Sequence, residues 1–372
     1  MKKQNRWTVI FLAVFVPILV LTGALTVYVD PYLHYHSPRT DRFYYQLESE
    51  RYDNDGILRN CAYDAVIVGS SMMENFRPTL MDTLFSCRSV KVPSSGATLY
   101  ESANLLKTAL RNQPELRYVV RGLDMSCMDE EPEQLTYNMG SYPTYLYNDD
   151  LLDDAYYIFN RDAFYDSARM MMDALRGQQP GIINMDGYCS WRTGVHYGKN
   201  VAICRTEQEP YENADQVELT QERRERVIYN MQQKIISLAQ EYPDTTFYYF
   251  LTPYSAAWWG DQRQNGQLQA QLEMEELVIR QLLPCKNIRL FSWNTVEELI
   301  FDLRNYKDRI HYGYWVNDWM LKAMAAGEGL LTQENADSYM TRERNLFESF
   351  DYNSLFAQAD SEQGEIPAFF QQ

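Results

Sequence analysis

Residues 62–69 read AYDAVIVG. A short apolar run closed by glycine marks a strand buried on both faces of a parallel sheet. The same signature recurs outward from it. SVKV (89–92), LRYVVRGLD (116–124), TTFYYFLT (245–252) and NIRLFS (287–292) read as four more strands. Helical periodicity falls between them, near 76–86, over 98–111 and 221–242, and around 266–283. Strands alternating with helices predict a three-layer α/β fold around a five-stranded parallel sheet. A long insertion separates the third and fourth strands, about 128–215. It holds a helix near 161–176 and reads as a cap over one end of the sheet. A polar tail with one helix and a disordered end follows residue 330.

The N-terminus sets the compartment. Residues 7–29 carry no charged side chain, and a membrane-spanning helix needs about 20 apolar residues. Pro17 is tolerated in such a helix. Lys2, Lys3 and Arg6 precede the run, which predicts a cytoplasmic N-terminus and an external remainder. The expected layout is a cytoplasmic segment (1–6), a signal anchor (7–29), a juxtamembrane segment (30–60), the sheet domain (61–330) and the tail (331–372). The formal charge is −17, and three of the basic residues lie before the anchor. An acidic ectodomain argues against nucleic acid and anionic lipid as partners. The 29 tyrosines and seven tryptophans are read mainly as core and loop packing.

Six cysteines in an external domain suggest disulfides. Cys189 and Cys204 are the nearest pair. Cys61 and Cys87 each precede a strand, so neighbouring strands are expected to bring them together. Cys127 and Cys285 have no assigned partner. No Cys/His spacing suggests zinc, and neither metal nor cofactor is expected.

Ligands of open parallel sheets bind beyond the carboxyl ends of the strands. GSSMMENF follows the first strand, with Gly69, Ser70, Ser71 and Asn75. Gly96 follows the second, Asp124 the third, and Tyr254 and Ser255 the fourth. Asp308 and His311 follow the fifth, three residues apart. That spacing lets a carboxylate reach the ring of its own neighbour. A serine hydroxyl needs a base to take its proton, and an aspartate fixes the tautomer of that base. Ser71-Met-Met-Glu74 also fits a helix capping box, and Asp308/His311 also fits a solvated turn. Their order on an alternating β/α pattern favours the chemical reading. His34, His36 and His196 read as structural. Trp258 and Trp259 fit either a core or a glycan-stacking role.

Gly69-Ser70-Ser71, Gly96 and Asp308-Arg309-Ile310-His311 together resemble the motif blocks of the SGNH/GDSL hydrolase superfamily, over roughly residues 62–325. The likeness is greatest to its membrane-anchored envelope proteins, related to teichoic-acid D-alanylation and alginate-acetylation factors, which work beside membrane-bound O-acyltransferases. The resemblance implies a flavodoxin-like sheet with Ser71 as nucleophile, His311 as base and Asp308 as its orienting acid. It implies an oxyanion hole from Ser71 and Gly96, with Asn75 as a further donor, and Gly69, Ser70, Asp124, Tyr254 and Ser255 as site-lining residues. Asp124 stands near where the family usually has an asparagine, and an ionised carboxylate donates no hydrogen bond. The expected function is an extracytoplasmic esterase or O-acyltransferase acting on a cell-envelope polymer or glycan. The alternative is a non-catalytic domain that binds polysaccharide or scaffolds a membrane O-acyltransferase. A phosphate or nucleotide binder is disfavoured, because no P-loop pattern follows the first strand.

Overall fold

The computed structural model describes residues 2–136, 142–148, 150–203, 210–359 and 365–371. The chain forms two compact units. One comprises Met1–Ala62 and Ser141–Tyr188, the other Tyr63–Gly140 and Cys189–Gln372. The insertion expected over 128–215 is therefore divided between them.

The second unit is built on a six-stranded sheet. Its strands are β1 (Ala65–Gly69), β2 (Ser89–Pro93), β3 (Tyr118–Leu123), β4 (Thr246–Leu251), β5 (Ile288–Phe291) and β6 (Leu330–Leu331). They lie in the order β2-β1-β3-β4-β5-β6. The first five are mutually parallel, with Ala65 level with both Ser89 and Tyr118, and Tyr118 level with Thr246. Strand β6 pairs antiparallel with β5 and adds an edge to the five strands expected. It is only two residues long, below the length at which alternation or an apolar run is legible. The order 2-1-3-4-5 places the reversal of winding between β1 and β3, where open α/β sheets form their ligand crevice.

All five residues of β1 and all five of β2 are buried, as strands covered on both faces require. Even Lys91 in β2 is fully buried, its ammonium donating to the Glu74 carbonyl. Helix Leu99–Asn112 starts on a capping box in which Thr98 accepts from the Glu101 N–H and Glu101 accepts from the Thr98 N–H. The helix expected over 221–242 is interrupted by a π-turn at Gln232–Ile236. An unexpected helix, Ala256–Gln264, starts on Ser255. The residues beyond 331 are more than a polar tail. Helix Ala336–Ser349 buries Phe347, whose ring stacks on buried Trp259 at 4.0 Å, and Tyr352 and Leu355 are buried too. Trp259 is thus a core residue. The expected disordered end falls partly on residues 360–364 and 372, outside the described residues. Phe369 and Phe370 pack on Trp319.

The first unit contains the apolar helix Lys2–Val29, of which Arg6–Val29 has the length to cross a membrane and holds an 18-residue stretch of mean hydropathy 2.6. Most of it is exposed, but Gly23, Thr26 and Val29 form a buried stripe at helical spacing. Helices Ala155–Ile158 and Arg161–Leu175 also belong to this unit, the second capped by Asn160. A two-residue parallel ladder joins Tyr44–Tyr45 to Gly181–Ile182.

The expected Cys61–Cys87 disulfide is absent: both thiols are free. The Cys87 thiol instead turns back onto the Met81 carbonyl and Asp82. Cys127 and Cys285 are free as well. Cys204 lies outside the described residues, and with it the pairing expected with Cys189.

Candidate active site

Strand β1 ends in Gly69 at φ +151°, and a Cβ there would lie 2.7 Å from Met73 Cγ. Only glycine turns the chain that sharply with Met73 packed beneath it. The turn leads into a short 3₁₀ helix, Ser71–Met73, and its cap is Ser70, whose Oγ accepts from the Met72 N–H. The alternative reading of Ser71-x-x-Glu74 as a capping box does not hold, because the cap sits one residue earlier, at Ser70. The Ser71 hydroxyl is thereby left for another partner. It lies 2.7 Å from His311 Nε2. Asn317 donates to the Met72 carbonyl and ties this turn to helix Tyr314–Ala326.

His311 stands on a loop held at both ends. Lys307 N–H donates to the His311 carbonyl, and Gly313 N–H to the Asn305 carbonyl. Asn305 in turn donates to Glu298 and Leu299 carbonyls, and Tyr306 O–H donates to the Pro253 carbonyl. Within the loop, Asp308 Oδ1 accepts from the backbone of Ile310 and His311, while Oδ2 lies 2.7 Å from His311 Nδ1. The carboxylate thus fixes both the turn and the ring. Burial alone would raise the Asp308 pKa, but hydrogen bonding and the charge of His311 outweigh it, and the net shift is downward. An ionised Asp308 against Nδ1 favours the tautomer with a bare Nε2 facing Ser71.

Asp124, at the end of β3, points elsewhere. Its Oδ2 accepts from Ser70 Oγ at 2.5 Å and its Oδ1 from Tyr254 O–H at 3.2 Å. Ser126 Oγ lies 3.2 Å from the same tyrosine oxygen. Burial raises the Asp124 pKa, while the Ser70, Tyr254 and Thr252 hydroxyls and the charge of His311 work against the rise. Asp124 therefore binds the serine beside Ser71. Tyr254 belongs to this acidic corner. Ser255 has a different place: its Oγ donates to the Arg309 carbonyl at 2.6 Å and clamps the histidine loop.

Gly96 is in a left-handed turn after β2, φ +62°, with its carbonyl taken by Thr136 Oγ1. Asn75 is buried. Its Oδ1 accepts from Ser190 Oγ and the Trp191 N–H, both at 3.1 Å, and its Nδ2 has no hydrogen-bond partner among the described residues. Trp191 was not legible as a site residue. Its ring meets the His311 ring edge-on, with centroids 5.9 Å apart, and Lys307 Nζ sits 3.7 Å from its centroid. It forms a wall beside the base, delivered from a segment over 100 residues distant in sequence from either end of the Ser71–His311 pair. Among the described residues, no cluster of three or more His, Cys, Asp and Glu side chains is suited to a metal.

The arrangement is a continuous path of proton acceptors and donors from Ser71 through His311 to Asp308, half exposed at the carboxyl rim of the sheet. No family model, no curated protein and no solved structure matches the chain.

Proposed function

We propose that the chain is a membrane-anchored, extracytoplasmic serine esterase or O-acyltransferase of the SGNH type, acting on acyl groups of a cell-envelope polymer or glycan. The observation that carries this reading is the 2.7 Å approach of Ser71 Oγ to His311 Nε2, with Asp308 2.7 Å from Nδ1. In the proposed reaction Ser71 Oγ bonds to the acyl carbon as its proton passes to Nε2. His311 returns that proton to the departing alcohol when the ester bond breaks. Water or a polymer hydroxyl then releases the acyl group by the reverse transfer. The backbone N–H groups of Ser71 and Gly96 are the proposed oxyanion donors. Asp124, tied to Ser70 and Tyr254, is not among the proposed donors, and the buried Asn75 amide would have to be uncovered to join them.

The apolar helix and its basic flank support placing the sheet unit on the outer face of a membrane, where a membrane-bound O-acyltransferase is the proposed partner. Asp124 standing in for an amide also favours a second reading, a non-catalytic domain that binds the polymer or scaffolds such a transferase. The test is release of acetate from short-chain aryl esters by the full chain in detergent. Turnover that disappears in both Ser71→Ala and His311→Ala supports the enzyme. Envelope acylation fully restored in a deletion strain by Ser71→Ala would overturn it in favour of the scaffold.

A further inference from the structure

Within the first unit, four large apolar side chains crowd into nine residues and face outward. Leu151, Leu152, Tyr156 and Phe159 are 81, 84, 68 and 53% exposed. Soluble surfaces rarely carry such a group without a partner. The position of the group along the apolar helix identifies that partner. A Cβ built on Gly23 would lie 2.9 Å from Ile158 Cγ2 and 3.4 Å from the Phe159 ring. Gly23 lies well inside the apolar run. From Gly23 to Val29 an α-helix rises about 9 Å.

The end of that run has its own marker. Arg39 stacks over the Tyr28 ring at 4.4 Å, and Arg42 donates to the Tyr28 hydroxyl at 2.6 Å. An aromatic ring with cationic partners is typical of the headgroup level. The polar side of the 151–159 segment reaches back to the same level. Tyr157 O–H donates to Asp30 Oδ1 at 2.7 Å, and Asp154 Oδ1 lies 3.2 Å from His34 Nε2. Ile158 and Phe159, next along the chain, pack beside the helix at Gly23.

We infer that residues 151–159 are a second membrane contact, an apolar wedge that enters the outer leaflet alongside the anchor helix. The inference rests on the reading of residues 7–29 as a bilayer-spanning helix. A side chain packed beside Gly23 of a spanning helix is in hydrocarbon, and interfacial segments enter by about 5–10 Å. The occupant is therefore lipid, continuous with that around the exposed face of the same helix. The wedge would fix the rotation and tilt of the first unit at the membrane, which a single helix leaves free.

The test uses the full chain in zwitterionic phosphatidylcholine nanodiscs, labelled from the lipid phase with a hydrophobic diazirine and mapped by mass spectrometry. Label severalfold above that on helix 221–231, on both residues 7–22 and 151–159, is the expected result. Leu151→Glu with Leu152→Glu and Tyr156→Glu should lose the second signal and keep the first. These side chains are exposed, so folding is preserved. Label on 7–22 with background on 151–159 overturns the wedge and leaves that face to a protein partner. Background on both segments overturns the anchor itself, and the wedge with it.

Discussion

Ser70 and Ser71 are adjacent and chemically identical, yet the chain gives them opposite tasks. Ser70 caps the 3₁₀ turn and donates to Asp124, and Ser71 meets His311. If this division underlies catalysis, Asp308→Asn should keep the fold and lower kcat for an aryl acetate on the order of 10⁴-fold. An unchanged kcat would show that the relay is ornamental. Asp124 offers an independent check through pH. Folding raises its pKa, so the folded chain holds that proton more tightly than the unfolded chain does. Its favourable contribution is complete below about pH 4 and is lost as pH rises through the raised value. Asp124→Asn removes the titration. The stability gained by the variant over wild type, measured by urea unfolding, should therefore grow from pH 4 to pH 7. A gap independent of pH would contradict the shift. The pattern G-x-S and D-x-x-H was legible because each is local. The tie from Asn75 to Trp191 was not, because it joins residues 116 apart that no periodicity relates.

The elements that position these residues are short and tightly held. Ser255 starts helix Ala256–Gln264 and clamps the Arg309 carbonyl with the same hydroxyl. Ser255→Ala should cost about 1 kcal/mol of stability and lower kcat with KM nearly unchanged, since the loop loses its anchor while the binding surface stays. A change in KM alone would assign Ser255 to substrate contact. Five strands were legible because each is an apolar run ended by a turn residue. The helix at 256–264 was not, because TPYSAAWW carries a proline at its second position and reads as loop. The tail misled for a related reason. Polar and charged residues together dominate its composition, while single aromatics such as Phe347 do the packing. Phe347→Ala, which empties the stack against Trp259, should cost about 3–5 kcal/mol, read as a lowered unfolding midpoint. A neutral result would return the segment to the status of an appendage.

For the chain as a whole, topology does what no single motif does. The winding order of the sheet reverses between β1 and β3, so Ser71 and Asp124, 53 residues apart in sequence, follow neighbouring strands at one end of the sheet. His311 arrives there from the loop after β5. The order of the parallel strands could not be read from the chain, because the pairing of buried strands leaves no trace in their composition. The apolar helix was legible, since length and composition alone mark it. The convergence of His311 on Ser71 is proposed to activate the serine. That activation is tested most directly by treating the full chain with a fluorophosphonate and mapping the adduct by mass spectrometry, with His311→Ala alongside. One adduct is expected, on Ser71, formed by wild type and lost in the histidine variant. An adduct on another residue, or one on Ser71 that forms equally well without His311, would contradict the proposal.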